Sequence, residues 1–181
     1  MANITMHKAL PGFASPAVGF ESPFDMLEAC HERVERMLVL LQRLHQHVQD
    51  KGCDDQARQA AQDVMRYFDV AAPLHHQDEE LHVFPSLLGG PDAAAAEGAR
   101  MLLAQHRQLE VRWAEMREVL LTLTDLRGEH VDAFVQAYRT HIQLEESLAY
   151  PAAKQQLDAL QLHDMGEEMM VRRGVTRIIG H

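Results

Sequence analysis

Apolar residues recur every three or four positions along most of this 181-residue chain, and short turn signals interrupt the pattern only a few times. Such spacing places the apolar side chains on one face of an α-helix. The first stripe predicts a helix that begins after the cap and proline of Ser22-Pro23 and ends near Asp50, just before Gly52. Its inward face carries Leu27, His31, Val34, Leu38, Leu41, His45 and Val48.

Three more long helices are predicted from the same pattern. The second is expected over about 54–88, with Pro73 inside it as a kink rather than an end, because the apolar stripe resumes beyond it. The third is expected over about 93–124 and the fourth over about 129–157, each after a glycine-containing turn. Connections this short join antiparallel neighbours, so the predicted fold class is all-α, an up-down-up-down four-helix bundle.

The two ends of the chain fall outside the four-helix pattern. Residues 1–21 contain two prolines and two glycines and are predicted to form an irregular N-terminal arm. Residues 22–157 are predicted to form the bundle. Residues 158–181 are predicted to add a short C-terminal fifth helix, over about 158–172, and a tail.

Charge and cysteine content exclude several classes of function. The chain has 17 Lys and Arg against 27 Asp and Glu, a formal net charge of −10. It therefore has neither the basic surface of a nucleic-acid binder nor the basic stripe of a membrane-surface helix. With only Cys30 and Cys53, and with no signal peptide or bilayer-length apolar run, we expect a cytoplasmic protein with reduced thiols. Histidine is the outlier, with 12 residues.

A segment that begins with histidine occurs twice. Residues 75–85 read HHQDEELHVFP, and residues 141–151 read HIQLEESLAYP. Each copy has Glu-Glu at the fourth and fifth positions after its first His and an aromatic residue before Pro. Positions i and i+4 lie about 40° apart around a helix and about 6 Å apart along it. Each copy therefore places an imidazole and a carboxylate on one face, a pairing typical of metal sites.

The other two long helices add donors of the same kind. His31 lies on the first apolar stripe, and the third helix carries His106 and Glu110 at the i, i+4 spacing. Rise along the helices brings most of these residues to similar heights in an antiparallel bundle. The candidate metal ligands are His31, His75, Glu79, His106, Glu110, His141 and Glu145. Seven ligands are more than one ion uses, so we expect two ions bridged by carboxylates, iron or manganese by preference, with zinc as a substitute.

Ordinary packing is the alternative interpretation for any one of these residues. A lone histidine on an apolar stripe is more often a hydrogen-bonded core residue, which is our interpretation of His45. For the whole set, that alternative would bury carboxylates without partners, at a cost of several kcal/mol each. Outside the set, we expect His76 to be exposed. Glu80 and Glu146 are expected to face solvent or to support the ligands from outside.

The order of the motifs resembles that of the hemerythrin-like, or HHE cation-binding, domains. His on the first helix, HxxxE on the second, His on the third and HxxxE on the fourth, with EExxx[FY]P endings, are found here over about 22–157. The resemblance implies a non-haem di-iron centre in a four-helix bundle. It further implies that Glu79 and Glu145 bridge the irons and that four terminal ligands are imidazoles, from His31, His75, His106 and His141.

Two functions of different class follow from this resemblance. One is a di-iron protein that binds or senses O2, NO or peroxide, or buffers iron; the alternative is a di-iron oxidase or peroxidase that consumes O2, H2O2 or NO. Where oxygen-carrying hemerythrins have HxxxH on the third helix, this chain has His106 and Glu110, and an added carboxylate disfavours reversible oxygen carriage. We expect a small diatomic ligand or peroxide as the partner, with no nucleic acid and no membrane. A homodimer or an unidentified protein partner stays open.

Overall fold

The computed structural model describes residues 19–175, and within that range the chain forms helices and turns only. The elements in order are α1 (Pro23–Lys51), α2 (Asp55–Asp78), a π-helical turn (Glu79–Val83), α3 (Phe84–Leu88), α4 (Ala93–Thr122), α5 (Gly128–Leu144), a second π-helical turn (Glu145–Ala149), α6 (Tyr150–Gln156) and α7 (Ala159–Arg172). The predicted all-α bundle with a short final helix is therefore confirmed. Of the predicted N-terminal arm, residues 1–18 lie outside the described range.

Aspartate side chains cap the starts of three helices, whereas Ser22, the cap expected for α1, makes no side-chain cap hydrogen bond. The Asp54 side chain accepts a hydrogen bond from the Ala57 amide at 2.8 Å at the start of α2. Asp92 and Asp158 cap α4 and α7 in the same way. Pro73 lies inside α2, which continues past it as expected.

The two π-helical turns occupy the same place in the two copies of the duplicated motif. Glu79 and Glu145 are their first residues, and each Glu carbonyl accepts a hydrogen bond from the amide five residues later. Pro85 and Pro151 are the second residues after the two turns, and a proline removes one α-helical hydrogen bond and crowds the carbonyl four residues before it. Both copies therefore widen at the glutamate for which the family resemblance implies a bridging role, and π-helical turns of this kind are frequent at functional sites.

A layer of His and Glu side chains separates two buried apolar clusters. On α1 the layer falls at His31, between Leu27 of one cluster and Val34 of the other. On α4 it falls at His106, between Leu102 and Leu109. On both of these helices a histidine thus interrupts the buried apolar stripe. No helix in residues 19–175 is long and apolar enough to cross a membrane.

The last helix covers one end of the bundle. Met165 and Met169 of α7 are fully buried in the cluster that contains Leu27 and Leu102. Arg172 and Arg173, at the end of α7, both pair with the fully buried carboxylate of Asp78. The last helix is therefore anchored to the residue that precedes Glu79 in the chain.

Candidate metal centre

Six side chains from the four long helical segments converge in the polar layer. The four imidazoles and two carboxylates are 0–4% exposed, and they belong to His31, His75, Glu79, His106, His141 and Glu145. Their donor atoms form two groups, each with atoms within 4.8 Å of one another. The first position comprises His31, His75, Glu79 and Glu145; the second position comprises Glu79, His106, His141 and Glu145. Both carboxylates belong to both positions, as two bridging ligands would.

Short distances join the imidazoles to the shared carboxylates. Nε2 of His31 lies 3.1 Å from Oε2 of Glu145, and Nε2 of His141 lies 2.9 Å from Oε1 of Glu145. Nε2 of His75 lies 3.4 Å from Oε1 of Glu79. Nε2 of His106 lies 3.4 Å from Glu79 and 3.5 Å from Glu145. In each of the four rings, Nε2 therefore faces the carboxylates.

Hydrogen bonds to the opposite ring nitrogen orient three of these imidazoles. Nδ1 of His31 donates to Glu146 at 2.8 Å, and Nδ1 of His106 donates to Glu80 at 2.9 Å. Each copy of the duplicated motif therefore uses its second glutamate to hold the lone histidine of another helix. Nδ1 of His141 donates to Oε1 of a glutamine, Gln105, at 3.0 Å. An acceptor at Nδ1 leaves the Nε2 lone pair free for a metal.

Several donor atoms in the layer are buried without a hydrogen bond. They are both ring nitrogens of His75, Nε2 of His106 and His141, Oε2 of Glu79 and both carboxylate oxygens of Glu145. Buried polar atoms without partners are rare, because each loses its interaction with water without compensation. All of these atoms except Nδ1 of His75 belong to the faces described above, and cations at the two positions would compensate them. The residues present therefore fit two metal ions.

In the metal-free layer, burial and neighbouring charges shift the pKa values of the two glutamates in opposite directions. Burial, followed by the charge of Glu145, raises the pKa of Glu79 to about 7. Burial opposes the ionised form of Glu145 as well, but its three imidazole neighbours outweigh that effect and hold its pKa well below the usual value. Burial likewise opposes charge on His31 and His106, yet the two carboxylates raise their pKa values to about 9 and about 10. Protons thus occupy part of the place that cations would take.

An aromatic side chain from each motif packs on the layer, but only one carries a hydroxyl. Phe84 lies 5.3 Å from the His106 ring, between ring centroids. Tyr150 occupies the matching place in the second copy, stacked on His31, and its hydroxyl donates to Oε1 of Glu79 and lies 3.2 Å from Nε2 of His31. The repeat predicted an aromatic residue at both places; the phenol beside the first position became evident only from the structure.

Glu110, the seventh predicted ligand, lies outside the cluster. Its side chain is 54% exposed and pairs with Arg107, which in turn pairs with Glu80. The buried stripe of α4 runs through Leu102, Leu109 and Leu120, and position 110 lies about 90° around the helix from it. The expectation that Glu110 faces inward is therefore wrong, and its connection to the layer runs through two intervening side chains.

His76 departs from its predicted exposure in the opposite direction. It is only 7% exposed, because α2 packs against both α1 and α4 and so buries two adjacent faces. His75 approaches His31 of α1, whereas His76 stacks on His106 of α4 with ring centroids 3.9 Å apart. The hydrogen bonds of His106 to Glu80 and of His31 to Glu146 agree with a supporting role, one of the two roles expected for these glutamates. No sequence signal indicated that Gln105 would bond to His141. The burial of His76 could have been suspected from its position directly after His75.

Comparison with known proteins places this site in a family. The model of the Hemerythrin HHE cation binding domain matches residues 22–153. The chain belongs to the hemerythrin HHE cation-binding family. It is also 33% identical, over 162 residues, to an uncharacterized protein of Haemophilus influenzae, with 86% of this chain and 92% of the relative covered. The matched HHE domain includes all six converging ligand candidates, and metal binding is the function that family and geometry share.

Proposed function

We propose that this HHE domain is a non-haem di-iron protein that binds or senses O2, NO or peroxide. The observation that carries the proposal is the presence of Glu79 and Glu145 in both donor groups. Two carboxylates shared between two imidazole pairs hold two ions close together in a bundle core. Nitrogen and oxygen donors without thiolate suit iron better than a structural zinc site.

The division of labour among the residues follows from the two groups. His31 and His75 would hold the first ion, and His106 and His141 the second. When bound, a pair of irons supplies a redox-active centre for O2, NO or peroxide. The apolar clusters on both sides keep water from the layer, and Glu80, Glu146 and Gln105 fix the direction of the imidazoles.

The size of a cavity that reaches His76 supports a small ligand. A cavity of about 270 Å³ runs from the exposed residue Glu110 inward to His76, with mostly apolar walls that include Phe68 and Trp113. This volume lies at or below the lower end of the range for sites of drug-sized ligands, about 300–1,000 Å³. It suits a diatomic molecule or peroxide better than an organic substrate.

One observation favours the alternative, an oxidase or peroxidase. The Tyr150 hydroxyl holds a proton between Glu79 and His31, and reduction of peroxide consumes protons. Steady-state consumption of H2O2 or O2 by the iron-loaded protein, supplied with an excess of a small-molecule reductant such as ascorbate, distinguishes the two functions. A binding protein forms a stoichiometric adduct and stops, whereas an enzyme turns over many times and loses rate in Tyr150→Phe.

Metal analysis of matched variants tests the proposed centre. We expect two irons per chain in the wild-type protein, loaded anaerobically and then freed of excess metal. Glu79→Ala and Glu145→Ala should lose most of both, because each carboxylate belongs to both positions. Glu110→Ala removes a carboxylate from the same bundle without touching the layer and is the matched control. One iron per wild-type chain, or equal losses in all three variants, would contradict the assignment.

A further inference from the structure

A series of aromatic rings connects the metal layer to the surface of the bundle. The His76 ring stacks on that of His106, with centroids 3.9 Å apart and planes 13° apart. Tyr138 follows at 6.4 Å from His76, and Phe68 at 5.2 Å from Tyr138, again between centroids. Phe68 in turn lies 5.0 Å from Trp113. Ring contacts therefore run without a break from a ligand candidate of the second position to Trp113.

Parallel stacking places His76 in this series rather than among the ligands of the ion. Two imidazoles stacked face to face direct their in-plane lone pairs side by side, so the lone pairs do not converge on one point. Their π faces, however, are in contact, and such contact passes an electron between rings. Phe134 adds a second connection, 5.0 Å from Tyr138 and 6.1 Å from Trp113.

Trp113 forms the outer end of the series. It is the only tryptophan in the sequence, and it is partly exposed. Its Nε1–H donates to Oδ1 of Asp69 at 3.0 Å, and the same oxygen accepts a hydrogen bond from Nε of Arg117 at 3.0 Å. A carboxylate beside the indole N–H accepts the proton that an indole releases when it loses an electron. The outer end is therefore equipped to give up an electron and a proton together.

Tyr150 also adjoins the layer, but it lacks such a connection outward. Its ring stacks on His31 and packs on Phe24, with centroids 5.6 Å apart, and Phe24 is buried. Within residues 19–175 no further aromatic ring continues this contact from Phe24 to the surface. In the described part of the chain, the series through Tyr138 is therefore the one that ends at a partly exposed indole.

We infer that these rings form an electron relay, by which Trp113 supplies electrons to the second position when O2 is reduced there. This inference rests on the proposed di-iron function and adds the source of the electrons that the irons lack. Indole and phenol are the most easily oxidised side-chain rings, because a nitrogen or oxygen lone pair enriches their π systems. Trp113 is therefore the donor, and Tyr138 eases passage of the electron between Phe68 and His76.

The electron count defines what the relay does. Reduction of O2 to two waters takes four electrons, and two ferrous ions supply only two. The other two leave Trp113 along the rings, and Asp69 and solvent take up the two protons that the indole and the water added to it release. Without a reductant the indole thus keeps one oxygen atom from water, so that 2 Fe2+, O2, tryptophan and 2 H+ give 2 Fe3+, one H2O and the oxygenated tryptophan. Ascorbate, where present, returns both electrons at the surface and leaves Trp113 unchanged.

Peptide mass spectrometry of Trp113 after a single exposure to O2 tests the relay. The protein is loaded anaerobically with two Fe2+ per chain, exposed to air with catalase present, and digested. Tyr138→Leu interrupts the rings, and Tyr138→Phe keeps the packing without the phenol. Tyr67→Leu is the matched control, because Tyr67 is also buried and contacts Phe68, 5.4 Å between centroids, but lies outside the series. Circular dichroism and iron content check that each variant folds and loads.

We expect Trp113 to gain one oxygen in the iron-loaded wild-type protein and to stay intact in protein loaded with Zn2+, which has no redox chemistry. Tyr67→Leu should match the wild type. Oxidation of Trp113 should fall to the zinc-loaded level in Tyr138→Leu and by more than half in Tyr138→Phe. Ascorbate should keep Trp113 intact in the wild type. Met101, 49% exposed on α4, reports on diffusing oxidants and should be oxidised equally in all iron-loaded forms.

The contrary results are equally distinct. An intact Trp113 after the wild-type irons have reacted with O2 would overturn the relay, as would wild-type oxidation of Trp113 in either Tyr138 variant. Oxidation of Trp113 that rises and falls with that of Met101 would also overturn it, because an oxidant from solvent would then be the cause. Failure of the wild-type protein to bind two irons would instead refute the proposed di-iron centre. Iron content therefore separates the two failures.

Discussion

Metal binding at pH 7 should expel protons from the layer, in a number that the structure sets. In the metal-free protein the carboxylates raise the pKa of His31 to about 9 and that of His106 to about 10, against the opposing effect of burial. Burial and the charge of Glu145 raise the pKa of Glu79 to about 7. At pH 7 both imidazoles are therefore protonated, and Glu79 is about half protonated. Each must give up its proton to bind a cation through that atom.

The expected release is between two and three protons per chain, about two from the imidazoles and about half of one from Glu79. By linkage, the overall affinity for the ion pair should rise by roughly two to three powers of ten per pH unit near pH 7. At pH 9 Glu79 is already ionised and His31 is half neutral, so the release should fall to between about one and two.

Anaerobic addition of Fe2+ to weakly buffered metal-free protein, with back-titration to constant pH, measures this number directly. Calorimetry in two buffers of different ionisation enthalpy gives an independent value. Glu110→Gln should release the same number, because Glu110 lies outside the layer. Release of less than one proton at pH 7, or a release that does not fall toward pH 9, would refute the charge arrangement described above.

Three further predictions concern stability and the supporting residues. Metal-free protein should melt below metal-loaded protein at pH 7, and scanning calorimetry should show this difference in melting temperature narrowing toward pH 5. The raised pKa of Glu79 stabilises the metal-free fold below about pH 4.5, and that stabilisation is lost as the pH rises through about 7. Metal affinity, and with it the stability of the loaded protein, instead rises with pH. Glu80→Ala and Glu146→Ala should each lower metal affinity about 10–100-fold in competition with a chelator, since each removes the acceptor of a ligand histidine; equal affinity to the wild type would contradict that role. Asp78→Ala should destabilise the metal-free protein by about 3–5 kcal/mol in urea unfolding, because it removes the buried carboxylate that pairs with Arg172 and Arg173 at the end of α7. A change below about 1 kcal/mol would show that α7 is not anchored there.

Most of the architecture could be predicted because its determinants are local. Apolar spacing of three and four residues, proline or aspartate at helix starts and glycine in the turns determine which segments become helices. The pairing of His75 with Glu79, and of His141 with Glu145, follows from the geometry of a single helical segment. That the candidate ligands together form a di-iron centre was implied by the family resemblance, and the match over residues 22–153 confirms the family.

Helix periodicity leaves open how far each helix is rotated relative to its neighbours. Glu110 follows His106 at the i, i+4 spacing, yet the face of α4 that packs into the bundle includes His106 and leaves Glu110 exposed. His76 follows His75 by one residue, and burial on two sides of α2 brings both inside. Neither outcome follows from one helix alone.

The sequence by itself therefore determined the helices, the duplicated His and Glu motif and the donors that share a face within each helix. Tertiary structure decided which donors meet, as with Glu80 on His106 or Tyr150 between Glu79 and His31. The physical reason is that spacing along a helix is fixed by backbone hydrogen bonds four residues apart. Rotation and height between helices are instead fixed by the packing of side chains far apart in the chain.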